Sequence, residues 1–209
     1  MKRKLKIEIG LAVLLLLIAL FGSFLAPYDP LKVNYDFSLQ PPSFLHIFGT
    51  DKLGRDVFSR ILCGAKTSFG LTFLMLFLIV FIGMIVGLIA GLSNDKVESF
   101  FNNIINGLLA FPDTIFAIAI VGIVGAGLFN TVFALALIWW TKYARLTLAL
   151  VKQEKKKNYL VISKMSGVPP LQRIIRYLLP NILSQILVTA FLDIGNMMIS
   201  LAGLSFLGL

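Results

Sequence analysis

An all-α, polytopic transmembrane helical bundle is the fold class this sequence predicts, and three observations carry the prediction. Of its 209 residues 58% are hydrophobic and 14% charged, where a soluble domain holds about 45–50% and about 25%. Mean hydropathy is +0.91, and apolar runs near the roughly 20 residues needed to cross a bilayer recur along the chain. The cations collect at residues 1–6 and 142–176, as cytoplasmic segments do under the positive-inside rule. The net charge of +9 is therefore a matter of topology. A nucleic-acid partner is excluded, because no basic groove with interleaved aromatics accompanies it. About five spans are expected in a lipid bilayer.

The first element is the apolar run over residues 9–25, preceded by a basic start. A cleavable signal peptide is the alternative, but its apolar core covers about 7–15 residues and small AxA-like residues follow it. Neither holds here, so residues 1–26 read as a cytoplasmic tail and a retained first span. Residues 27–67 then form an external loop, with Pro27, Pro30, Pro41 and Pro42 and little apolar periodicity. Within it Thr50 or Asp51 is expected to cap a short helix through Arg60, with Asp51 and Arg55 an i,i+4 ion pair. Direct substrate contact is the other reading of that stretch. His46 has no second His or Cys nearby, so it reads as a solvated loop histidine rather than a metal ligand. Cys63 is the sole cysteine, which excludes an internal disulfide or a cysteine zinc cluster.

Residues 68–209 form the transmembrane domain. Its first span covers 68–92, where Gly83, Gly87 and Gly91 repeat the GxxxG spacing that lets helices approach closely in lipid. A polar turn at 94–98 lies inside. The next span runs from about residue 104 to 124 after an amphipathic lead-in through Phe100 and Phe101, and Pro112 should kink it. Asp113 follows that proline. It is either a functional carboxylate facing protein or water or the cap of the half-helix beyond the kink. A tight external turn at 125–130 leads to the fourth span, 131–151, whose Lys142 and Arg145 can snorkel to the inner surface. The fifth span, about 181–201, carries Asp193 and Asn196 deep in apolar sequence. With Asp113 they are the candidate translocation-path residues.

Between the last two spans lies a basic insert, residues 152–180. Lys152, Lys155, Lys156, Lys157, Lys164, Arg173 and Arg176 face only Glu154 in opposition. Residues 159–166 suit about two helical turns, and Gly167 stands where a helix C-terminus wants positive φ. Pro169 and Pro170 forbid simple continuation, and a second short helix, 171–179, is expected to end at Pro180. A loop this structured reads as a docking surface. No P-loop, GxGxxG, HExxH or GxSxG signature is present, so the chain is read as no enzyme.

Several stretches, in order, resemble the permease subunits of binding-protein-dependent ABC importers, in the oligopeptide/dipeptide/nickel branch and its C-type subunit. They are residues 49–60 (GTDKLGRDVFSR), Leu109-Ala110-Phe111-Pro112, Tyr143-Ala144-Arg145, Gly167 with Leu178-Leu179-Pro180-Asn181, and Leu204-Ser205-Phe206-Leu207-Gly208-Leu209. The resemblance implies that residues 159–170 form a cytoplasmic coupling loop seated in a groove of an ATPase. Tyr159, Ser163, Lys164, Met165, Ser166 and Gly167 are then the contact or hinge positions. Where the family favours an acidic residue and two alanines, this chain has Val161, Ile162 and Ser163. It has Asn158 and Leu201 at two further commonly acidic positions. The resemblance also implies a sixth span, expected to be missing here.

The implied partners are a second permease subunit, ATP-binding subunits and an external substrate-binding protein. The chain itself binds no cofactor, ATP being used by its partners in a bacterial inner membrane, with the N-terminus cytoplasmic. Short peptides are the expected substrate, with nickel or a chelated metal the alternative, because the spans lack the His, Cys or Met clusters that a bare soft metal needs. A self-sufficient secondary transporter or channel, using Asp113 and Asp193 as proton or cation sites, is the alternative of another class. No inverted repeat or paired broken helices support it.

Overall fold

Apolar runs in lipid fold as helices because every backbone N–H must find a partner within its own segment. The computed structural model, which describes residues 2–208, follows that rule. Its helices are α1 (Lys2–Leu25), α2 (Val57–Leu92), α3 (Asp95–Leu109), α4 (Asp113–Val124), α5 (Leu128–Lys155), α6 (Asn158–Met165), α7 (Pro170–Arg173) and α8 (Leu179–Phe206). Among the described residues the only strand-like feature is a single antiparallel bridge between Thr50 and Asp56. Three helical stretches are long and apolar enough to cross a membrane, Val57–Leu92, Leu128–Lys155 and Pro170–Phe206; the bent pair α3 and α4 would make a fourth. At 1.5 Å per residue the 24 residues of α1 reach about 36 Å, also a spanning length. The chain divides into two compact units, Met1–Leu71 and Thr72–Leu209, with the boundary inside α2.

In the first unit the polar segment before α2 is tied by its own groups. Asn34 N–H donates to the Leu53 carbonyl at 3.0 Å and Leu39 N–H to that of Asp51 at 3.1 Å. The Asp51 carboxylate accepts from the N–H groups of Leu53 and Arg55 at 2.9 and 3.0 Å, pairs with the Arg55 guanidinium at 2.8 Å, and also meets Arg60. The expected ion pair is present, but the helix around it is not. Gly54 has φ +69, a left-handed turn that stops any helix from Asp51, and α2 begins only at Val57. Its cap is Asp56, which accepts from Ser59 N–H at 2.7 Å. The second span therefore starts eleven residues before the expected residue 68, because Asp56 offers a capping carboxylate just where the apolar pattern begins. His46 is also not a solvated residue. Its Nδ1 lies 2.9 Å from Asp56 Oδ1, and its ring packs on those of Tyr28 and Phe37.

In the second unit α5 is the hub, packing against α3, α4 and α8. Of its apolar stretch 61% is buried, against 28% for the stretch containing α8, so α8 keeps a wide face for lipid or another chain. The glycine row of α2 lies on α5. A Cβ added at Gly83 would stand 2.5 Å from that of Tyr143, and one at Gly87 2.5 Å from that of Thr147. The small-residue spacing is a packing face, as its sequence suggests.

Two expectations are corrected here. The third span is not one kinked helix. Asn94 caps α3 by accepting from Val97 N–H at 3.1 Å, so the expected polar turn is already helical, and α3 meets α4 at 84°. Pro112 lacks an N–H and drives its predecessor from the α region, which separates the helices rather than bending one. Likewise, Pro180 does not end a short helix. A π-helical turn, Ile174–Leu178, precedes it and lets the helix run on, with Pro180 in the first turn of α8. A widened turn relieves the clash that a proline ring causes in a regular α-helix.

Candidate translocation cleft and coupling turn

Asp193 sits on α8 and is buried. A carboxylate taken out of water needs a cation and hydrogen bonds to remain charged. It has both: Lys142 Nζ donates to its two oxygens at 2.8 and 2.7 Å, and the Tyr143 hydroxyl donates to Oδ2 at 2.8 Å. Lys142 thus turns to α8 instead of snorkelling inward. Arg145 donates to the Asn106 side chain of α3. Adjacent residues of α5 supply both partners of Asp193, so the pair fixes how α5 and α8 are rotated against each other.

Beside this pair opens a cleft of about 280 Å³, lined by Asp113, Lys142, Asp193 and Asn196 with the rings of Phe111 and Trp139. All three sequence-predicted path residues are brought to one place. Asp113 does so from the first turn of α4, where its carboxylate accepts from Thr114 N–H at 2.8 Å and favours the positive end of the helix dipole. The cap position itself is Pro112, with no side-chain cap bond, so Asp113 meets the helix end as a first-turn carboxylate while it lines the cleft. Asn196 stands one turn beyond Asp193 on the exposed side of α8. The Trp139 indole N–H is buried with no partner among the described residues.

The residues expected to couple gather at α6 and the turn that ends it. Glu154, buried at the end of α5, accepts from Lys157 and from the Tyr159 hydroxyl. Burial pushes the Tyr159 phenol up to about 12, and the Glu154 carboxylate adds to the shift, so the tether stays protonated. α6 ends in a paired turn: Gly167 N–H donates to the Lys164 carbonyl at 3.2 Å and Val168 N–H to that of Ser163 at 3.1 Å. Gly167 has φ +75, as the closing residue of such a turn requires. Ser163 is buried, while Ile162 is 59% and Met165 82% exposed. Tyr159, Ser163 and Gly167 therefore hold the turn, and Lys164, Met165 and Ser166 present its surface.

Sequence reading missed Lys142 as the partner of Asp193, and Glu154 as an anchor. The signal was there for both. A lone cation and a lone carboxylate in apolar runs have few ways to avoid each other, and a single acid among lysines is a natural hub.

A helical membrane body with a charged cleft between spans, and a short capped helix outside them, has the parts of a transport permease subunit. Residues 83–209 match the family described as the binding-protein-dependent transport system inner membrane component, and residues 9–42 match the N-terminal TM domain of oligopeptide transport permease C. The chain is 35% identical over 196 residues to the nickel transport system permease protein NikC of Escherichia coli, covering 94% of this chain and 71% of that protein. It is 38% identical over 208 residues to the di/tripeptide transport system permease protein DppC of Pseudomonas aeruginosa, covering 96% and 69%. With the glutathione transport system permease protein GsiD of Shigella flexneri it shares 37% over 198 residues, covering 94% and 65%. The chain belongs to this family of ABC importer membrane subunits, in the oligopeptide/dipeptide/nickel branch. Its relatives are transport permeases rather than enzymes, and membership implies ATPase and substrate-binding partners in general. That replaces the reading as a self-sufficient transporter or channel.

Proposed function

We propose that this subunit forms one side of an inward path for short peptides and that α6 receives the work of ATP hydrolysis. The cleft carries the substrate reading. It sets the carboxylate of Asp113, the Lys142–Asp193 pair and the amide of Asn196 beside two aromatic rings. Charges of both signs beside apolar walls suit a zwitterionic solute with side chains better than a bare metal ion, which favours soft or imidazole ligands. Nickel is the second reading, favoured by the 35% identity to the nickel permease NikC.

The coupling reading rests on shape. A membrane body without its own nucleotide site must be moved by contact, and a rigid capped helix transmits displacement where a loose loop would not. In this reading α6 and the N-terminus face the cytoplasm of an inner-membrane protein. Residues 27–56 lie outside, within reach of the substrate-binding protein. A second permease completes the path, and ATP is used by its binding subunits, with no cofactor on this chain.

The test is uptake by the assembled importer in proteoliposomes, with labelled dipeptide and with nickel. Dipeptide uptake that falls with Asp113→Asn supports the peptide path. Nickel uptake with no dipeptide uptake would replace it with the second reading.

A further inference from the structure

Three helices of spanning length have their ends around one cleft of about 550 Å³. Leu92 closes α2, Lys155 closes α5, and Pro170 opens the stretch that continues into α8. The apolar run of α2 stops at Leu92, and lipid headgroups begin where the apolar part of a span stops. Its charged lining is Lys155, Lys164 and Arg173, with no carboxylate among the lining residues. Of the carboxylates nearest in sequence, Glu154 is engaged with Lys157 and Tyr159 and Glu98 with Lys152, while Asp95 stands in the first turn of α3 and is not part of the lining. Lys155 donates to the Gly91 carbonyl at 3.0 Å. Arg173 Nε is buried with no hydrogen-bond partner among the described residues. The remaining wall is apolar, including Leu160, Ile174 and Leu178.

Uncompensated cations above an apolar wall, at headgroup depth, match one kind of molecule. We propose that this cleft binds an anionic phospholipid of the adjoining leaflet, with its phosphate held by Arg173 and Lys164 and its first acyl carbons on Ile174 and Leu178. A basic pocket between spans is a recognised form of headgroup site. A carboxylate from a soluble protein would satisfy the cations but leave the apolar wall wet. Because the cleft joins α6 to the π-helical turn before α8, the lipid braces the two against each other. The site does not depend on which solute is carried, and it shares only Lys164 with the α6 surface proposed to meet the ATPase.

The experiment is native mass spectrometry of the full chain, delipidated in mild detergent, then offered phosphatidylglycerol or phosphatidylcholine with identical acyl chains. Preferential retention of phosphatidylglycerol is expected. Arg173→Gln and Lys164→Gln should each lower it by roughly fivefold, the worth of one cation at a membrane surface, while Arg173→Lys keeps most of it. Circular dichroism shows whether each variant remains helical, and Arg173→Lys supplies the reading if Arg173→Gln does not fold. Equal retention of the two lipids, or phosphatidylglycerol retention unchanged in a folded Lys164→Gln protein, would overturn the proposal. So would full displacement of the lipid by millimolar inorganic phosphate, which would make it a site for the free anion. Cross-linking of Lys164 to a carboxylate of an ATP-binding subunit, with lipid excluded from the assembled complex, would assign the cations to a protein partner instead.

Discussion

The polar segment before α2 and the polar turn after α5 make opposite use of their side chains. Across residues 27–56 four aspartates stand against Lys32, Lys52 and Arg55, and the two best buried of those acids, Asp51 and Asp56, are spent on local bonds. Across residues 152–176 seven cations stand against Glu154 alone, and Ile162 and Met165 are left bare. The first segment is folded by its charges. The second is closed by a glycine turn and anchored by Glu154, and most of its charge and its apolar surface stay unspent. A loop that satisfies itself acts as a frame, whereas one that does not is shaped for a partner.

The strongest way to break that comparison is to remove the frame. Asp51→Ala leaves two backbone N–H groups and two guanidinium groups without their acceptor, and the first unit should lose about 2–4 kcal/mol. Thermal unfolding of the purified chain in detergent measures it. A loss under 0.5 kcal/mol would mean that the segment is not held by its charges.

The second region should respond differently. Gly167→Pro removes the N–H that reaches Lys164 and forbids φ +75, so about 3 kcal/mol is expected locally. In the assembled importer, ATP hydrolysis should then separate from uptake while the protein stays in the membrane. Gly167→Ala is milder, about 1 kcal/mol, because no atom lies within 4 Å of the added Cβ. Normal uptake with the proline variant would remove the turn from coupling.

The smallest effect concerns pH. Burial alone would raise the Asp51 carboxyl, but hydrogen bonds from the Arg55 side chain and from the N–H groups of Arg55 and Leu53, with the Arg55 charge, hold it well below the usual carboxylate range. A carboxyl depressed by folding contributes stability above its unfolded value, lost only as pH falls through the folded one. The stability gap between wild type and Asp51→Asn should therefore stay constant from pH 7 down to about 4. A gap that closes between pH 7 and 5 would contradict the assignment.

Much of this was legible in the sequence, for identifiable reasons. Apolar length marked the spans, the GxxxG row marked a packing face whose partner only the structure shows to be α5, and Gly167 before two prolines marked the turn. What stayed hidden depended on partners distant in the chain or on competition between local signals. Lys142 and Asp193 are 51 residues apart, and no periodicity pairs them. Thr50 and Asp51 look like caps in the sequence, and the left-handed turn at Gly54 passes that role to Asp56. Pro112 and Pro180 look alike as helix breakers. One parts two helices by 84°, while the other is absorbed by a π-helical turn.

The central claim is that α6 presses on an ATP-binding subunit, and Met165 is the place to test it. With Cys63→Ser as background, a Met165→Cys importer would be assembled and treated with a short heterobifunctional reagent that takes a thiol at one end and a lysine amine at the other. A cross-link from position 165 to an ATP-binding subunit, which shifts between the nucleotide-free and ATP-bound states, is the expected result. No cross-link in either state, or labelling of that cysteine by an impermeant reagent from outside intact cells, would contradict the account.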